Sequence, residues 1–214
     1  MRGLYPIVDV GALSAKGLPV AQFAKQVLAV KPRMLQLRAK LLNGREMLAL
    51  LREIRPLCRA AGTLLFANDR ADLALLAECD GVHVGQDDLS VREVRRFAPS
   101  LRVGISTHSL DQLESALAER PDYVAFGPVY ETRSKDQPDP TVGLDRLAAA
   151  GRLCAAAGCP LVAIGGIDRT RAAEIAARAA FGAVIADLLP EGELLEEVGA
   201  RARALHEALG GDQA

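Results

Sequence analysis

The feature that most constrains the fold is an alternation that repeats along the whole chain. Short apolar runs typical of buried strands are separated by longer segments with the apolar spacing of amphipathic helices. The expected strands are residues 4–10, 33–37, 63–67, 81–85, 101–105, 123–129, 161–164 and 182–186. The expected helices are residues 19–30, 44–61, 71–78, 90–97, 109–119, 144–157, 168–179 and 192–209. We therefore expect eight consecutive βα units.

Eight such units in 214 residues predict a compact α/β fold, a single-domain TIM (β/α)8 barrel that spans residues 1–214. The strands are apolar on both faces, as expected when helices cover one face and a barrel interior the other. A doubly wound open sheet is the alternative. It more often carries a glycine-rich turn after the first strand, whereas Asp9-Val-Gly11 does not match GxGxxG.

Composition narrows the class of partner. The net charge is −1 and charged residues make up 25% of the chain, which argues against a nucleic-acid or membrane-surface binder. The four cysteines show neither zinc-like nor CxxC spacing, and no signal peptide or bilayer-length apolar run is evident. We expect a cytoplasmic protein that acts on small molecules, and a homo-oligomer is compatible with the sequence.

Polar residues recur at the predicted strand ends, where TIM barrels carry their chemistry. Gln36, Arg38 and Lys40 alternate at the end of the second strand, so their side chains share one side of an extended chain. An exposed basic strand end without a ligand is the alternative interpretation. Asn68 and Asp69 follow the third strand, where helix capping would also explain them.

The fourth strand ends in Gly85-Gln-Asp-Asp88, and capping or turn formation explains only one of its two acids. Adjacent barrel strands would bring Asp69 and Asp88 to the same rim. Two carboxylates without an obvious partner favour Mg²⁺, which binds one or two carboxylates, water and phosphate oxygens.

The fifth and seventh strand ends suggest anion contacts. Ser106 could donate to a phosphate oxygen, and Gly166 could offer its backbone amide in the phosphate site that TIM barrels build after strands seven and eight. A tight turn also explains the glycine pair at residues 165–166. No nucleophile accompanies His108 in sequence, so we expect this histidine, like His83 and His206, to be structural or supporting.

The connection after the sixth strand, within residues 126–143, is unusually long. Thr132, Arg133, Ser134 and Lys135 place hydroxyl and cationic donors in one window, which suits a phosphate-bearing ligand. A solvated surface loop is the alternative. Long patternless loops in compact domains are often lids, so we expect closure over the rim, limited by Pro138 and Pro140.

Several short motifs, each weak alone, occur in an order that resembles thiamine-phosphate synthase over nearly the whole chain. They are Gln36-Leu-Arg-Ala-Lys40, Asn68-Asp69, Gly81-Val-His-Val-Gly-Gln-Asp-Asp88, Gly104-Ile-Ser-Thr-His108, Gly127-Pro-Val129 with Thr132-Arg-Ser-Lys135, and Ala163-Ile-Gly-Gly-Ile167. The resemblance implies the joining of a hydroxymethylpyrimidine diphosphate to a thiazole phosphate, which gives thiamine phosphate and pyrophosphate.

The same resemblance implies a role for each matching residue. Contacts to the pyrimidine diphosphate are implied for Gln36, Arg38, Lys40, Asn68, Ser106 and Lys135, with Arg38, Lys40 and Lys135 also catalytic. Magnesium ligation is implied for Asp69 and Asp88, and contact with the thiazole phosphate for Thr132, Ser134 and Gly166. Ser134 stands where the family usually has Thr, an exchange that keeps the hydroxyl.

One position departs further from the family pattern. Asp187 aligns with a family Ser that faces the thiazole phosphate, and an unpaired carboxylate about 4 Å from one phosphate charge would cost roughly 4 kcal/mol at an effective dielectric near 20. Asp187 must turn away, be protonated or paired, or the chain prefers another acceptor. Two alternatives stay open: a thiazole tautomerase-like paralogue, although Pro128 replaces its catalytic His, and a non-catalytic barrel that binds a phosphorylated thiazole or pyrimidine.

Overall fold

Parallel strands close into a barrel in the computed structural model, which describes residues 2–132, 139–192 and 194–211. The strands are Gly3–Asp9 (β1), Met34–Arg38 (β2), Leu64–Asn68 (β3), Gly81–Val84 (β4), Arg102–Thr107 (β5), Tyr123–Phe126 (β6), Leu161–Ile164 (β7) and Phe181–Val184 (β8). Each strand pairs with the next, and β8 pairs with β1. The predicted single-domain TIM barrel is confirmed.

Helices follow the strands and cover the outside of the barrel. They are Val10–Ser14 (α1), Val20–Leu28 (α2), Gly44–Ala61 (α3), Ala71–Leu76 (α4), Val91–Phe97 (α5), Leu110–Ala118 (α6), Gly143–Ala157 (α7), Ala172–Ala176 (α8) and Leu195–Ala208 (α9), with a 3₁₀ turn at Ala186–Leu188. Ser90 and Ser109 cap α5 and α6, since each hydroxyl accepts a bond from a backbone N–H in the first turn. Within the described part of the chain, every helix is too short or too polar to cross a bilayer.

Several boundaries differ from the prediction, and three of these differences are informative. The short helix α1 begins directly after β1, where the Asp9 carboxylate accepts a bond from the Ala12 amide. Strand β6 ends at Phe126 rather than residue 129, because Pro128 has no N–H to continue the ladder. Helix α8 covers only Ala172–Ala176, and Asp168 caps the turn before it by accepting from the Thr170 and Arg171 amides.

Apolar side chains pack in two layers. The barrel interior holds aromatic rings in edge-to-face contact, including Tyr5, Phe66 and Tyr123, whose centroids are 5.4–6.4 Å apart. A larger layer fills the space between strands and helices and contains Cys58 and Cys154. All four cysteines are free, and burial raises the pKa of the Cys58 thiol to about 12. Cys58, Cys79 and Cys154 are buried and pack as small apolar residues.

Gly104 in β5 makes room for the interior rings. A Cβ atom added there would lie 2.0 Å from Cζ of Tyr123. Gly104→Ala should therefore lower the free energy of unfolding by about 1–3 kcal/mol through overpacking. Thermal unfolding measures this effect, and Gly192→Ala is a matched control because an added Cβ meets nothing within 4 Å. Equal melting temperatures for the two variants would contradict this tight packing.

Candidate functional site

A cavity of about 530 Å³ opens at the C-terminal ends of the strands. Every predicted site residue that the structure describes lines this cavity: Gln36, Arg38, Lys40, Asn68, Asp69, Asp88, Ser106, Thr132 and Gly166. Ser134 and Lys135, together with Arg133 and Pro138, lie outside the described residues. The barrel thus brings together side chains that are far apart in sequence, while the chemical role of each stays a prediction.

A second cavity of about 880 Å³ adjoins the first. The two share the basic pair Arg38 and Lys40, the loop residue Thr132, and the backbone at Gly166 and Ala186. Cationic side chains and a glycine with φ of 65° therefore stand between the two spaces. Two anionic ligands could lie side by side across this boundary.

Arg38 is held by Asp9, a residue outside the motifs that predict the site. The guanidinium Nη1 lies 2.5 Å from Asp9 Oδ2, and the Asp9 side chain is only 8% exposed. Asp9 and Arg38 are direct partners in the β1–β2 register. The sequence does contain a signal for this pair, because a carboxylate ends the first strand and an arginine ends the second. Asp9 orients the Arg38 side chain toward the boundary of the cavities.

The predicted acid pair forms. Burial first, and then the neighbouring Asp88 carboxylate, raise the pKa of Asp69, while Lys40 opposes the shift from 3.3 Å. Asp88 also accepts a bond from the Gly85 amide at 2.7 Å, so it closes the turn as well. Two facing carboxylates beside phosphate-sized space are a donor set that fits Mg²⁺.

The capping alternative for Asn68 and Asp69 is wrong. Helix α4 has Arg70 at its N-cap and no side-chain cap bond. Asp69 instead adopts a left-handed backbone, with φ of 63°, that is uncommon for residues other than glycine. Among the described residues, no cluster of three or more His, Cys, Asp or Glu side chains could hold a metal. A cation at Asp69 and Asp88 would complete its shell with water and ligand oxygens.

Each of the three histidines makes a hydrogen bond within the protein. His83 contacts the Ser106 hydroxyl through Nε2 at 2.8 Å. His108 donates from Nδ1 to the Gly127 carbonyl at 2.6 Å, and its Nε2 lies 3.6 Å from Asp139 at the far end of the loop. His206 accepts a bond from the Leu4 amide, far from the cavities in sequence and at the opposite end of β1. His83 and His108 line the first cavity.

The long loop is fastened at both ends. The Val129 and Tyr130 amides donate to the carbonyls of Ile164 and Gly165, which extends the contact with β7. The Val142 amide returns to the Pro128 carbonyl at 2.8 Å. A Cβ at Gly166 would lie 2.5 Å from the Glu131 carbonyl oxygen, so glycine permits this close approach. The loop therefore begins and ends beside the cavities.

Asp187 is paired, which answers one question raised by the sequence. Its carboxylate accepts from the Arg169 amide at 2.9 Å and from Arg169 Nε at 3.0 Å, and Arg201 Nη1 lies 3.7 Å away. Arg169 thus offsets the Asp187 charge beside the second cavity, and Arg201, which also pairs with two glutamates, contributes from a longer distance. The expected repulsion of a phosphate is reduced accordingly.

Comparisons with known proteins agree with this arrangement. A family model described as thiamine monophosphate synthase matches residues 4–188. Thiamine-phosphate synthase from Koribacter versatilis (strain Ellin345) is 45% identical over 190 residues, 87% of this chain and 88% of the relative. Thiamine-phosphate synthase from Anaeromyxobacter dehalogenans (strain 2CP-C) is 43% identical over 210 residues, 97% of this chain and 89% of the relative.

A solved structure shares the fold as well. Thiamine phosphate pyrophosphorylase from Pyrococcus furiosus superposes with a TM-score of 0.82 and 28% identity, and the match covers 97% of both chains. The family match spans most of the barrel, and the relatives are matched over most of their own length. The chain belongs to the thiamine monophosphate synthase family and is a transferase of thiamine biosynthesis.

Proposed function

We propose that this barrel condenses 4-amino-2-methyl-5-(diphosphooxymethyl)pyrimidine with 4-methyl-5-(2-phosphooxyethyl)thiazole, in the presence of Mg²⁺. The products are thiamine phosphate and pyrophosphate. The active site of the single domain lies at the C-terminal ends of the strands. The observation that carries the proposal is the convergence of nine predicted residues on one cavity that adjoins a second.

The first cavity suits the pyrimidine diphosphate. Arg38 and Lys40 supply positive charge, and Gln36, Asn68 and Ser106 supply neutral polar groups. Asp69 and Asp88 would hold Mg²⁺, which would neutralise diphosphate oxygens when bound. Lys135 is proposed to add a further cation from the loop. The second cavity suits the thiazole phosphate, with the Gly166 amide, Thr132 and Ser134 as its proposed contacts.

The reaction requires no protein nucleophile. The bond between the pyrimidine methylene carbon and the diphosphate oxygen breaks, and both electrons leave with pyrophosphate. The 4-amino group stabilises the methylene cation, and the thiazole nitrogen then attacks it to form the new C–N bond. The work of the side chains is to position both substrates and to stabilise charge on the leaving group.

Lys135→Ala tests the role of the loop cation. Turnover of the complete reaction should fall by about 100-fold, because a charge that stabilises the leaving group is lost. The melting temperature should change little, since the strands and helices that build the barrel core come from other parts of the chain. Steady-state kinetics with an unchanged kcat would remove Lys135 from the mechanism.

A single assay separates the competing functions. Both substrates are supplied with and without Mg²⁺, and thiamine phosphate and proton exchange on the thiazole are followed together. Thiamine phosphate formed only with metal supports the proposal. Exchange without joining would indicate a tautomerase, and tight binding with neither would indicate a non-catalytic barrel.

We also propose that the enzyme is cytoplasmic and that its ligands are small phosphorylated molecules. The four free thiols support a reducing compartment such as the cytoplasm.

A further inference from the structure

Five side chains form a continuous hydrogen-bonded chain through the barrel interior and end at the first cavity. Its two ends are Gln36 and Ser106, and the interior members are buried. The contacts are Gln36 Nε2 to Tyr5 Oη at 3.1 Å, Tyr5 Oη to Tyr123 Oη at 2.7 Å, Tyr123 Oη to His83 Nδ1 at 2.8 Å, and His83 Nε2 to Ser106 Oγ at 2.8 Å. The chain thus connects two residues proposed to contact the pyrimidine.

The rings that carry this chain are fixed by packing. His83 stacks on Tyr123 with an interplanar angle of 13°, and Tyr5 meets Tyr123 edge-on. Gly104 leaves the space that Tyr123 crosses to reach His83. Burial raises the pKa of both tyrosines, so both stay neutral phenols, each with one proton to donate.

These proton counts fix the direction in which hydrogen bonds are donated along the hydrogen-bonded chain. The structure orients the Gln36 amide nitrogen toward Tyr5, so Tyr5 accepts there and must donate to Tyr123. Tyr123 then donates to His83 Nδ1, which leaves the proton of the neutral imidazole on Nε2. The Nε2–H group donates to Ser106 Oγ. If His83 were an imidazolium, its Nδ1–H group would donate to Tyr123, and Tyr123 would then donate to Tyr5. The Tyr5 proton would face the NH₂ group of Gln36, which cannot accept it.

The two ends of the chain are therefore complementary. With the amide nitrogen turned inward, Gln36 presents its oxygen, an acceptor, to the cavity. Because Ser106 accepts the His83 bond with one of its two lone pairs, its hydroxyl proton stays available as a donor to the cavity. Reversing every bond in the chain would exchange these roles at both ends together. A 4-aminopyrimidine offers an amino donor beside an unprotonated ring nitrogen, whereas the 4-oxo form offers a carbonyl acceptor beside a ring N–H.

We propose that Tyr5, Tyr123 and His83 are positioning residues that fix this donor–acceptor pair and so select the 4-aminopyrimidine over its 4-oxo counterpart. This inference rests on the proposed function, because it assigns the first cavity to the pyrimidine. Its specificity comes from polar groups that the wrong ring would leave unpaired, a strong form of discrimination.

The histidine tautomer tests the direction without any substrate. Nitrogen-15 NMR of the ¹⁵N-labelled protein should show His83 protonated on Nε2 and unprotonated on Nδ1. Only three histidines are present, so His83→Gln assigns the signal by its disappearance. Protonation of His83 on Nδ1, in either the neutral or the cationic form, would overturn the proposed direction.

Binding of two probes tests the consequence. Calorimetry with Mg²⁺ compares the 4-amino and 4-oxo pyrimidine diphosphates on the wild-type protein and on Tyr123→Phe, which cuts the chain and keeps the ring. The wild type should prefer the amino form, and Tyr123→Phe should reduce the preference by about tenfold. Tyr130→Phe is the matched control, since that hydroxyl donates to Glu174 outside the chain, and it should keep the wild-type ratio.

The outcomes separate this inference from the proposed function. A lower melting temperature for Tyr123→Phe with an unchanged binding ratio would mean that the chain is only structural, and would overturn the inference. Tyr5→Phe provides a second cut if Tyr123→Phe does not fold. Selective binding of the amino form, lost on cutting the chain, supports the inference even if no thiamine phosphate forms. That last result would contradict only the proposed reaction.

Discussion

Asp69→Asn should reduce thiamine phosphate formation by about 100-fold or more at a fixed Mg²⁺ concentration. The substitution removes one of the two carboxylates that would hold the metal and keeps the shape of the side chain. Asn also tolerates the left-handed backbone at this position, where φ is 63°. The measurement is initial rate against Mg²⁺ concentration, in which the variant should require far more metal.

The same variant should be more stable than the wild type without metal. Burial and the Asp88 charge raise the pKa of Asp69, so its ionisation opposes folding, and this penalty develops as the pH rises above the ordinary pKa of an Asp carboxyl group. Asn removes that charge. Thermal unfolding should thus show a higher melting temperature for the metal-free variant and a smaller rise on adding Mg²⁺.

Asp72→Asn is the matched control for this pair of effects. Asp72 lies on α4, and its bond with Arg70 lowers its pKa, so this charge favours folding slightly. The control should leave the metal dependence unchanged and should not raise the melting temperature. Wild-type metal dependence in Asp69→Asn would remove Asp69 from the metal site.

Arg38→Ala should raise KM for the pyrimidine diphosphate by about 10- to 100-fold, because a charge-assisted contact to the substrate is lost. It should also lower the free energy of unfolding by about 3 kcal/mol, since the Asp9 carboxylate stays buried without its cation. Steady-state kinetics and urea unfolding measure the two effects separately. An unchanged KM would mean that Arg38 serves only the ion pair.

Two further variants separate the effect on KM from the effect on stability. Asp9→Asn keeps an oxygen that can cap α1 but removes the charge that orients Arg38, so KM should rise by about tenfold with little loss of stability. Arg55→Ala breaks the Arg55–Asp80 pair, whose side chains are 22% and 20% exposed, on the outside of the barrel. It should lower stability and leave KM unchanged. A wild-type KM in Asp9→Asn would limit Asp9 to capping.

The order of elements could be predicted from the sequence because each strand and helix carries a local apolar pattern. The residues at the strand ends could be predicted once the strands were located, because closing the barrel brings all strand ends to one rim. Helix α1 has only five residues, too few to show a helical period. The end of β6 depends on Pro128, whose effect on the ladder requires knowledge of the neighbouring strand.

Contacts between distant strands could not be predicted in this way. The bond between Tyr5 and Tyr123 joins residues 118 positions apart and exists only in the closed barrel. Asp9 was visible in the sequence, but its partnership with Arg38 follows from the register of β1 and β2. Asn68 and Asp69 have the residue types of helix caps, but α4 begins after Arg70 without a side-chain cap bond, and only the structure shows this.

The fastening of the long loop has a consequence for how this enzyme could diversify. Bonds from Val142 to Pro128 and from Gly143 to Val129 close the loop at its base, beside β7. Insertions or exchanged segments between residues 131 and 141 would therefore not pull on the barrel strands. Each doubling of loop length costs only about 0.6 kcal/mol in closure entropy. Changes in this loop could therefore alter the preference for the thiazole acceptor without substitutions in the strands or helices of the barrel.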